Sequence, residues 1–196
     1  ELQRLDGDRV AIIDTRPWSE YRAGALPKSL SIPLSNAFPT EAGSFIEPDC
    51  EITLITPPHE LDGVIRALVR VGLDHITGWA RPEAVRAADG LQTLEEIDVV
   101  EAQRRLAAGE WRMLDVRRAS EAAEVRIPDV PQIAHTRLAA QLDDLPRDKP
   151  LVVHCRSGAR SARACSLLRR HGLTVANLAG GILAWEQAAP VERSAG

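Results

Sequence analysis

The chain has 196 residues, 44% of them hydrophobic and 27% charged, with a formal net charge of −4. This length suits one sizeable domain or two small ones of about a hundred residues each, and the mixed charge gives no reason to expect nucleic acid as a partner. Three widely spaced cysteines (50, 155 and 165) are not a secreted disulfide framework, and five scattered histidines contain no His-x-x-x-His pair, so no metal site is read from the residues.

The chain opens at Glu1, with no signal peptide and no apolar run of membrane-spanning length, which makes a reducing cytoplasm the expected location. An evident strand comes within a few residues, so the start reads as that of a fragment or of a chain with an unstructured beginning. Val10-Ala11-Ile12-Ile13-Asp14-Thr15-Arg16 is that strand, and Ser19-Glu20 opens a helical turn. A loop with Pro27 leads to a second strand at 52–56. A helix follows with apolar residues at 61, 64, 65 and 68, stopped at Gly72, and then a strand at 74–77. Residues 84–93 read as a linker, and Asp98 with Glu101 as a capping box for a helix over 99–108. The order then repeats. A strand ends in Asp115-Val116-Arg117, Ser120-Glu121 begins a turn, and a loop carries Pro128. A strand over 151–154, a helix from the 155–161 loop to about His171, and a last strand at 174–178 complete it.

The repetition is residue by residue. A shift of 101 pairs Asp14 with Asp115, Arg16 with Arg117, Glu20 with Glu121, Pro27 with Pro128 and Ile32 with Ile133. A shift of about 100 pairs Gly72-Leu73 with Gly172-Leu173. Two copies of one plan are expected, each an α/β unit with a mainly parallel sheet covered on both faces.

The chemistry is expected at Cys155-Arg156-Ser157-Gly158-Ala159-Arg160-Ser161, between a strand and a helix. Such a junction exposes backbone N–H groups that lack intrahelical partners, and together with the helix dipole they favour an anion. Gly158 lets the backbone curl closely, and a cysteine at the rim gains thiolate character. From Lys149 to Trp185 there is no Asp or Glu, while Lys149, Arg156, Arg160, Arg163, Arg169 and Arg170 fall in that stretch. This local inversion of sign is expected to draw a small anion. Cys165 lies on an apolar helix stripe and reads as core, and Cys50 as incidental. A cysteine phosphatase needs Cys-x5-Arg; Cys155 and Arg160 give Cys-x4-Arg, a loop better sized for one sulfur atom than for a phosphate.

Taken in order, these marks resemble the rhodanese-like domains, here as a tandem pair. The marks are Asp-x-Arg-x-x-x-Glu in each half, Leu26-Pro27 and Ile127-Pro128, the Cys155–Ser161 loop, and Asn177-Leu178-Ala179-Gly180-Gly181-Ile182-Leu183-Ala184-Trp185. The resemblance implies two rhodanese-like domains, each a small five-stranded sheet flanked by helices. A non-catalytic repeat would span 1–88 and a catalytic domain 93–196. It implies that Cys155 takes sulfane sulfur from thiosulfate or a low-molecular-weight persulfide and passes it to a thiol or cyanide. Amides of residues 156–160 would cradle the sulfur, Arg156 and Arg160 would orient the donor, and Ser157 and Ser161 would add hydrogen bonds. Asp115, Arg117, Gly180 and Gly181 are expected to act structurally near the site, and Trp185 to be core or to border the pocket.

The first repeat has Ile55-Thr56-Pro57-Pro58-His59-Glu60-Leu61-Asp62 at the loop position. It lacks the cysteine, loses two donors to proline and carries two acids, so it reads as non-catalytic. The second departs at Val125-Arg126-Ile127-Pro128-Asp129-Val130, where Gly-His-Ile-Pro-Gly-Ala is usual. No cofactor is expected in this chain. A degenerate first repeat after an abrupt start is similar to the C-terminal part of a fusion with a metallo-β-lactamase-like persulfide dioxygenase, whose metal would lie outside these residues. The alternatives are a non-enzymatic scaffold or regulatory module, and a cysteine phosphatase or arsenate reductase.

Overall fold

A computed structural model of the protein describes residues 9–194, and the chain divides into two compact units between Leu94 and Glu95. In unit 1, β1 (Val10–Asp14), β2 (Leu30–Ser31), β3 (Glu51–Ile55) and β4 (Ile76–Ala80) form a parallel sheet in the order β2-β1-β3-β4. Burial is continuous along most of β1 and β3, Thr53 included, because these inner strands are covered on both faces, whereas edge strand β4 alternates between half-buried and exposed. Helices α1 (Trp18–Ala23), α2 (Phe38–Phe45), α3 (Leu61–Val69) and α4 (Pro82–Arg86) complete the unit.

In unit 2, β5 (Glu95–Ile97), β6 (Arg112–Asp115), β8 (Leu151–His154) and β9 (Val175–Leu178) form a second parallel sheet, ordered β5-β9-β8-β6. Its helices are α5 (Val99–Ala107), α6 (Ala119–Glu124), α7 (Ala159–Arg170) and α8 (Gly181–Trp185). Short strands β7 (Val125–Arg126) and β10 (Glu192–Arg193) pair antiparallel, and 3-10 turns occupy His135–Arg137 and Ala139–Asp144. One core cluster gathers Ile97, Met113, Val152, Ala176 and Leu178 from one face of the sheet, with Ile182 of α8 packed on them. Among the described residues, no helix is long and apolar enough to cross a membrane.

The internal shift of the sequence survives as geometry. Ile32 N–H donates to the Asp14 carbonyl at 3.0 Å, and Ile133 N–H to the Asp115 carbonyl at 2.9 Å. Lys28 and Asp129, also 101 apart, both have positive φ, near 60°. Gly72 and Gly172 end α3 and α7 with φ of 81° and 80°, and Leu73 and Leu173 each reach back to the carbonyl five residues earlier.

Three expectations change. Among the described residues each parallel sheet has four strands rather than five. In unit 2 the position matching β2 is a single bridge between Asp115 and Gln132, because Pro131, where unit 1 has Leu30, has no N–H to extend a ladder. In unit 1 the segment before β1, where a counterpart of α5 would lie, falls mostly outside the described residues. The supposed linker is largely tied into unit 1: Val85 is buried in its core, and Gln92 and Ala25 exchange backbone hydrogen bonds of 2.9 Å. The capping box at Asp98 is half made. Its carboxylate accepts from Glu101 N–H at 2.9 Å, but the Glu101 carboxylate is taken up by Arg104 and Arg105.

Candidate active site

β8 runs through the centre of unit 2 and delivers Cys155 at its C-terminal end, where the chain turns into α7. The turn depends on Gly158, whose φ of 97° favours glycine and whose missing Cβ would stand 3.3 Å from the Leu178 carbonyl oxygen. Cys155 is buried at the bottom of this loop. The Gly158 N–H donates to Sγ at 3.2 Å. Ser161 Oγ lies 3.4 Å from Sγ and 3.1 Å from the Gly158 carbonyl, so its single proton serves one of two acceptors.

The outer side of the loop is held by α8. Ile182 N–H donates to the Cys155 carbonyl at 2.8 Å and Leu183 N–H to that of Arg156 at 3.2 Å. With those carbonyls engaged by α8, the Cys155–Arg156 and Arg156–Ser157 peptide units are held, immediately before the Gly158 amide that meets the sulfur. Gly180 and Gly181 make this contact possible. Both have positive φ, and a Cβ on Gly181 would fall 2.5 Å from the Cys155 carbonyl oxygen and 2.7 Å from that of Arg156.

Behind the loop, Asp115 and Arg117 form a buried ion pair at the end of β6. Arg117 Nε lies 3.0 Å from both carboxylate oxygens and its backbone N–H 2.9 Å from Oδ1. The guanidinium also donates to the carbonyls of Val125 at 2.8 Å and Glu121 at 3.3 Å, which fixes the start and end of the segment around α6. Asp14 and Arg16 repeat the arrangement in unit 1, with Arg16 reaching the Gly24 carbonyl at 2.9 Å. There burial outweighs the arginine and pushes the Asp14 carboxyl above its ordinary pKa.

Two residues near the loop were not singled out by their sequence setting. Glu121 grips Arg160 with both oxygens, at 2.6 and 2.7 Å, and also accepts from the Arg118 N–H at 3.2 Å. The hydrogen bonds from Arg160 bring the Glu121 carboxyl down to about 2; the carboxylate, and to a lesser degree the Cys155 sulfur, make Arg160 a weaker acid still. The last position of Asp-x-Arg-x-x-x-Glu was the available signal. His154 is fully buried. Its Nδ1 lies 3.3 Å from the Cys155 carbonyl, its Nε2 is 3.8 Å from Asp115 Oδ2, and no hydrogen-bond partner reaches Nε2. Burial, opposed by Asp115, pushes its pKa below the ordinary value.

The basic stretch of the sequence does not collect at this loop. Lys149 lies just before β8, at the end opposite Cys155, and donates to the Gly109 carbonyl at 2.6 Å; Arg169 and Arg170 occupy the last turn of α7. Arg156, Ser157 and Arg160 remain beside the cysteine, the first two exposed. Cys165 is buried in α7, where burial pushes its thiol pKa up, and Cys50 donates weakly to backbone carbonyls in unit 1. Trp185 borders a different space: an apolar cavity of about 560 Å³ walled by Met113, Ile127, Val130 and Leu145, none of them in the cysteine loop. At the matching position of unit 1, a cleft of about 470 Å³ is lined by Glu20, His59, Glu60, Glu83 and Arg86. Among the described residues no group of three His, Cys, Asp or Glu side chains is placed to hold a metal.

Comparison with known proteins agrees with this geometry. The rhodanese-like domain family matches residues 98–188. A sulfurtransferase of Allochromatium vinosum is 40% identical over 94 residues, covering 47% of this chain and 88% of its own length. A putative sulfurtransferase of Bacillus subtilis is 34% identical over 94 residues, covering 47% and 91%. An HTH-type transcriptional regulator of Mycobacterium tuberculosis is 30% identical over 201 aligned positions, covering 97% of this chain and 87% of that protein. The chain therefore belongs to the rhodanese-like sulfurtransferase superfamily, with the family match lying in unit 2.

Proposed function

We propose that residues 93–196 act as a sulfurtransferase in which Cys155 carries sulfane sulfur as a persulfide. The Cys155 thiolate attacks the outer sulfur of thiosulfate or of a low-molecular-weight persulfide. The donor S–S bond breaks with its electron pair leaving on sulfite or on the donor thiolate, and the negative charge of the enzyme moves to the new outer sulfur. A thiol or cyanide then attacks that outer sulfur and releases Cys155 as thiolate. The observation that carries this reading is the Gly158 amide aimed at Sγ from 3.2 Å, in a loop whose Cys155 and Arg156 carbonyls are already bound by α8. A fixed donor of this kind stabilises anionic sulfur without reorganising. Arg156 sits where it can meet the donor, Ser157 and Ala159 complete the loop, and Ser161 supports the sulfur. Mass spectrometry after incubation with thiosulfate or glutathione persulfide should show one added sulfur on Cys155, removed by cyanide or a thiol. Retention of the adduct and of turnover in Cys155→Ser would overturn the proposal.

For residues 1–88 a different observation favours a non-catalytic repeat with a scaffold or regulatory role. Thr56-Pro57-Pro58-His59-Glu60 occupies the loop position, and the cleft beside it is lined by three glutamates. Proline removes two of the amides an anion would need, and carboxylates repel it. The regulator name of the mycobacterial relative belongs to that protein; unit 1 here is built on a parallel sheet. Sulfur adducts are therefore expected on unit 2 alone. Nothing in the fold or in the named relatives speaks for a fused dioxygenase, and the proposal stops at this chain. The Cys-x4-Arg spacing likewise gives phosphatase chemistry no support.

A further inference from the structure

The cysteine loop carries two arginines, but their charges are not equivalent. Arg160 is held by both oxygens of Glu121 at 2.6 and 2.7 Å and is three-quarters buried, so its positive charge is compensated where it stands. Arg156 is exposed, and its guanidinium has no hydrogen-bond or ion-pair partner among the described residues. In unit 1 the matching carboxylate, Glu20, also takes an arginine, Arg86 at 2.7 Å, but that arginine comes from α4. Only in unit 2 does the motif glutamate neutralise a cation of the cysteine loop itself.

We propose that Glu121 is a specificity-determining residue that biases the site toward persulfide donors and against thiosulfate by cancelling the charge of Arg160 beside Cys155. The proposal rests on the sulfurtransferase reading above. The two donors differ in the charge on the group that departs. Attack on thiosulfate breaks its S–S bond to release sulfite, a dianion whose charge lies on oxygens next to the split bond. Attack on an organic persulfide releases a thiolate, which carries a single negative charge at the split bond; any further charges of the donor, such as the carboxylates and ammonium of glutathione, lie several bonds away. Each unit of uncompensated positive charge at the mouth therefore favours thiosulfate more than persulfide, and a carboxylate fixed there acts in the opposite sense. With Glu121 in place, the loop offers the net charge of Arg156 alone.

The test is single-turnover sulfur loading of the full chain by thiosulfate and by glutathione persulfide. Glu121→Gln keeps a side chain able to accept from Arg118 N–H while releasing the charge of Arg160. It should raise the ratio of thiosulfate to persulfide loading efficiency by on the order of tenfold, mainly through tighter thiosulfate binding and with a steeper salt dependence. Adding Arg160→Gln to Glu121→Gln removes both charges of the pair and should return the ratio toward the unmodified protein, while Glu121→Asp should keep the persulfide bias. A ratio unmoved by Glu121→Gln, or unmoved by restoring neutrality in the double variant, overturns the role given to Glu121 while leaving Cys155 chemistry standing. Failure of the unmodified protein to load sulfur from either donor would instead remove the sulfurtransferase reading itself.

Discussion

Gly181 touches the cysteine loop so closely that a single carbon added to it would stand 2.5 Å from the carbonyl oxygen of Cys155. The atoms it would strike are backbone, so relief requires moving the loop or α8 rather than rotating a side chain. The positive φ of 57° adds strain for any other residue. Gly181→Ala should lower stability by about 2 kcal/mol or more and reduce sulfur loading. Gly172→Ala is the control. Its φ is also positive, but nothing lies within 4 Å of a new Cβ, so about 1 kcal/mol of backbone strain is expected with loading unchanged. Thermal unfolding and adduct mass together separate the two cases.

Arg117 is buried with Asp115 and also serves two backbone carbonyls. Arg117→Leu leaves a buried carboxylate and the Val125 carbonyl without their cation. Denaturant unfolding should show a loss of about 3–5 kcal/mol. Arg117→Lys should recover only part of it, since an ammonium cannot reproduce the planar fork that meets both oxygens of Asp115.

His154 gives the protein a pH dependence with a defined sign. Its folded pKa lies below the ordinary 6.5, so the unfolded chain takes up a proton as pH falls through 6.5 while the folded chain does not. Stability should therefore fall with decreasing pH below about 6.5, with a slope of at most about 1.4 kcal/mol per pH unit from this group. Glu121 acts in a lower window, losing its contribution as pH falls from 4.5 toward about 2. Asp14, raised above 3.8 by burial, works in the opposite sense, its contribution being lost as pH rises from 3.8 through its folded pKa. Urea midpoints between pH 7.5 and 5.5 should slope less in His154→Gln than in the unmodified protein; equal slopes would exclude His154 as the source.

Asp98 caps α5 with one carboxylate oxygen 2.9 Å from the Glu101 N–H. Asp98→Ala should cost about 1 kcal/mol, and Asp98→Asn much less, since an amide oxygen accepts the same bond. Urea unfolding of the two variants side by side checks the difference.

Local rules made much of unit 2 legible. The run Leu151–His154 followed by Cys155 and Gly158 specified strand, turn and helix because each depends on neighbours in the chain: apolar continuity, a positive-φ glycine, free amides at a helix start. The 101-residue shift likewise located Asp14 and Asp115 as equivalent, and their backbone bonds to Ile32 and Ile133 agree. Edge strands were less visible. Glu95-Glu96-Ile97 is too charged to read as a strand, and the Gln132 bridge too short, because pairing along one edge asks little of side-chain pattern.

The charge around Cys155 was decided by tertiary structure. The sequence lined up six basic residues between 149 and 170, but β8 and α7 carry Lys149, Arg169 and Arg170 away from the loop. Glu121, thirty-nine positions from Arg160, is brought against it by the fold. Residue types and local spacing name the sulfur atom and the turn that holds it. Electrostatic interaction depends on distance in space, so which cations that sulfur meets, and which of them arrive already neutralised, follows only once the strands are ordered and the helices laid upon them.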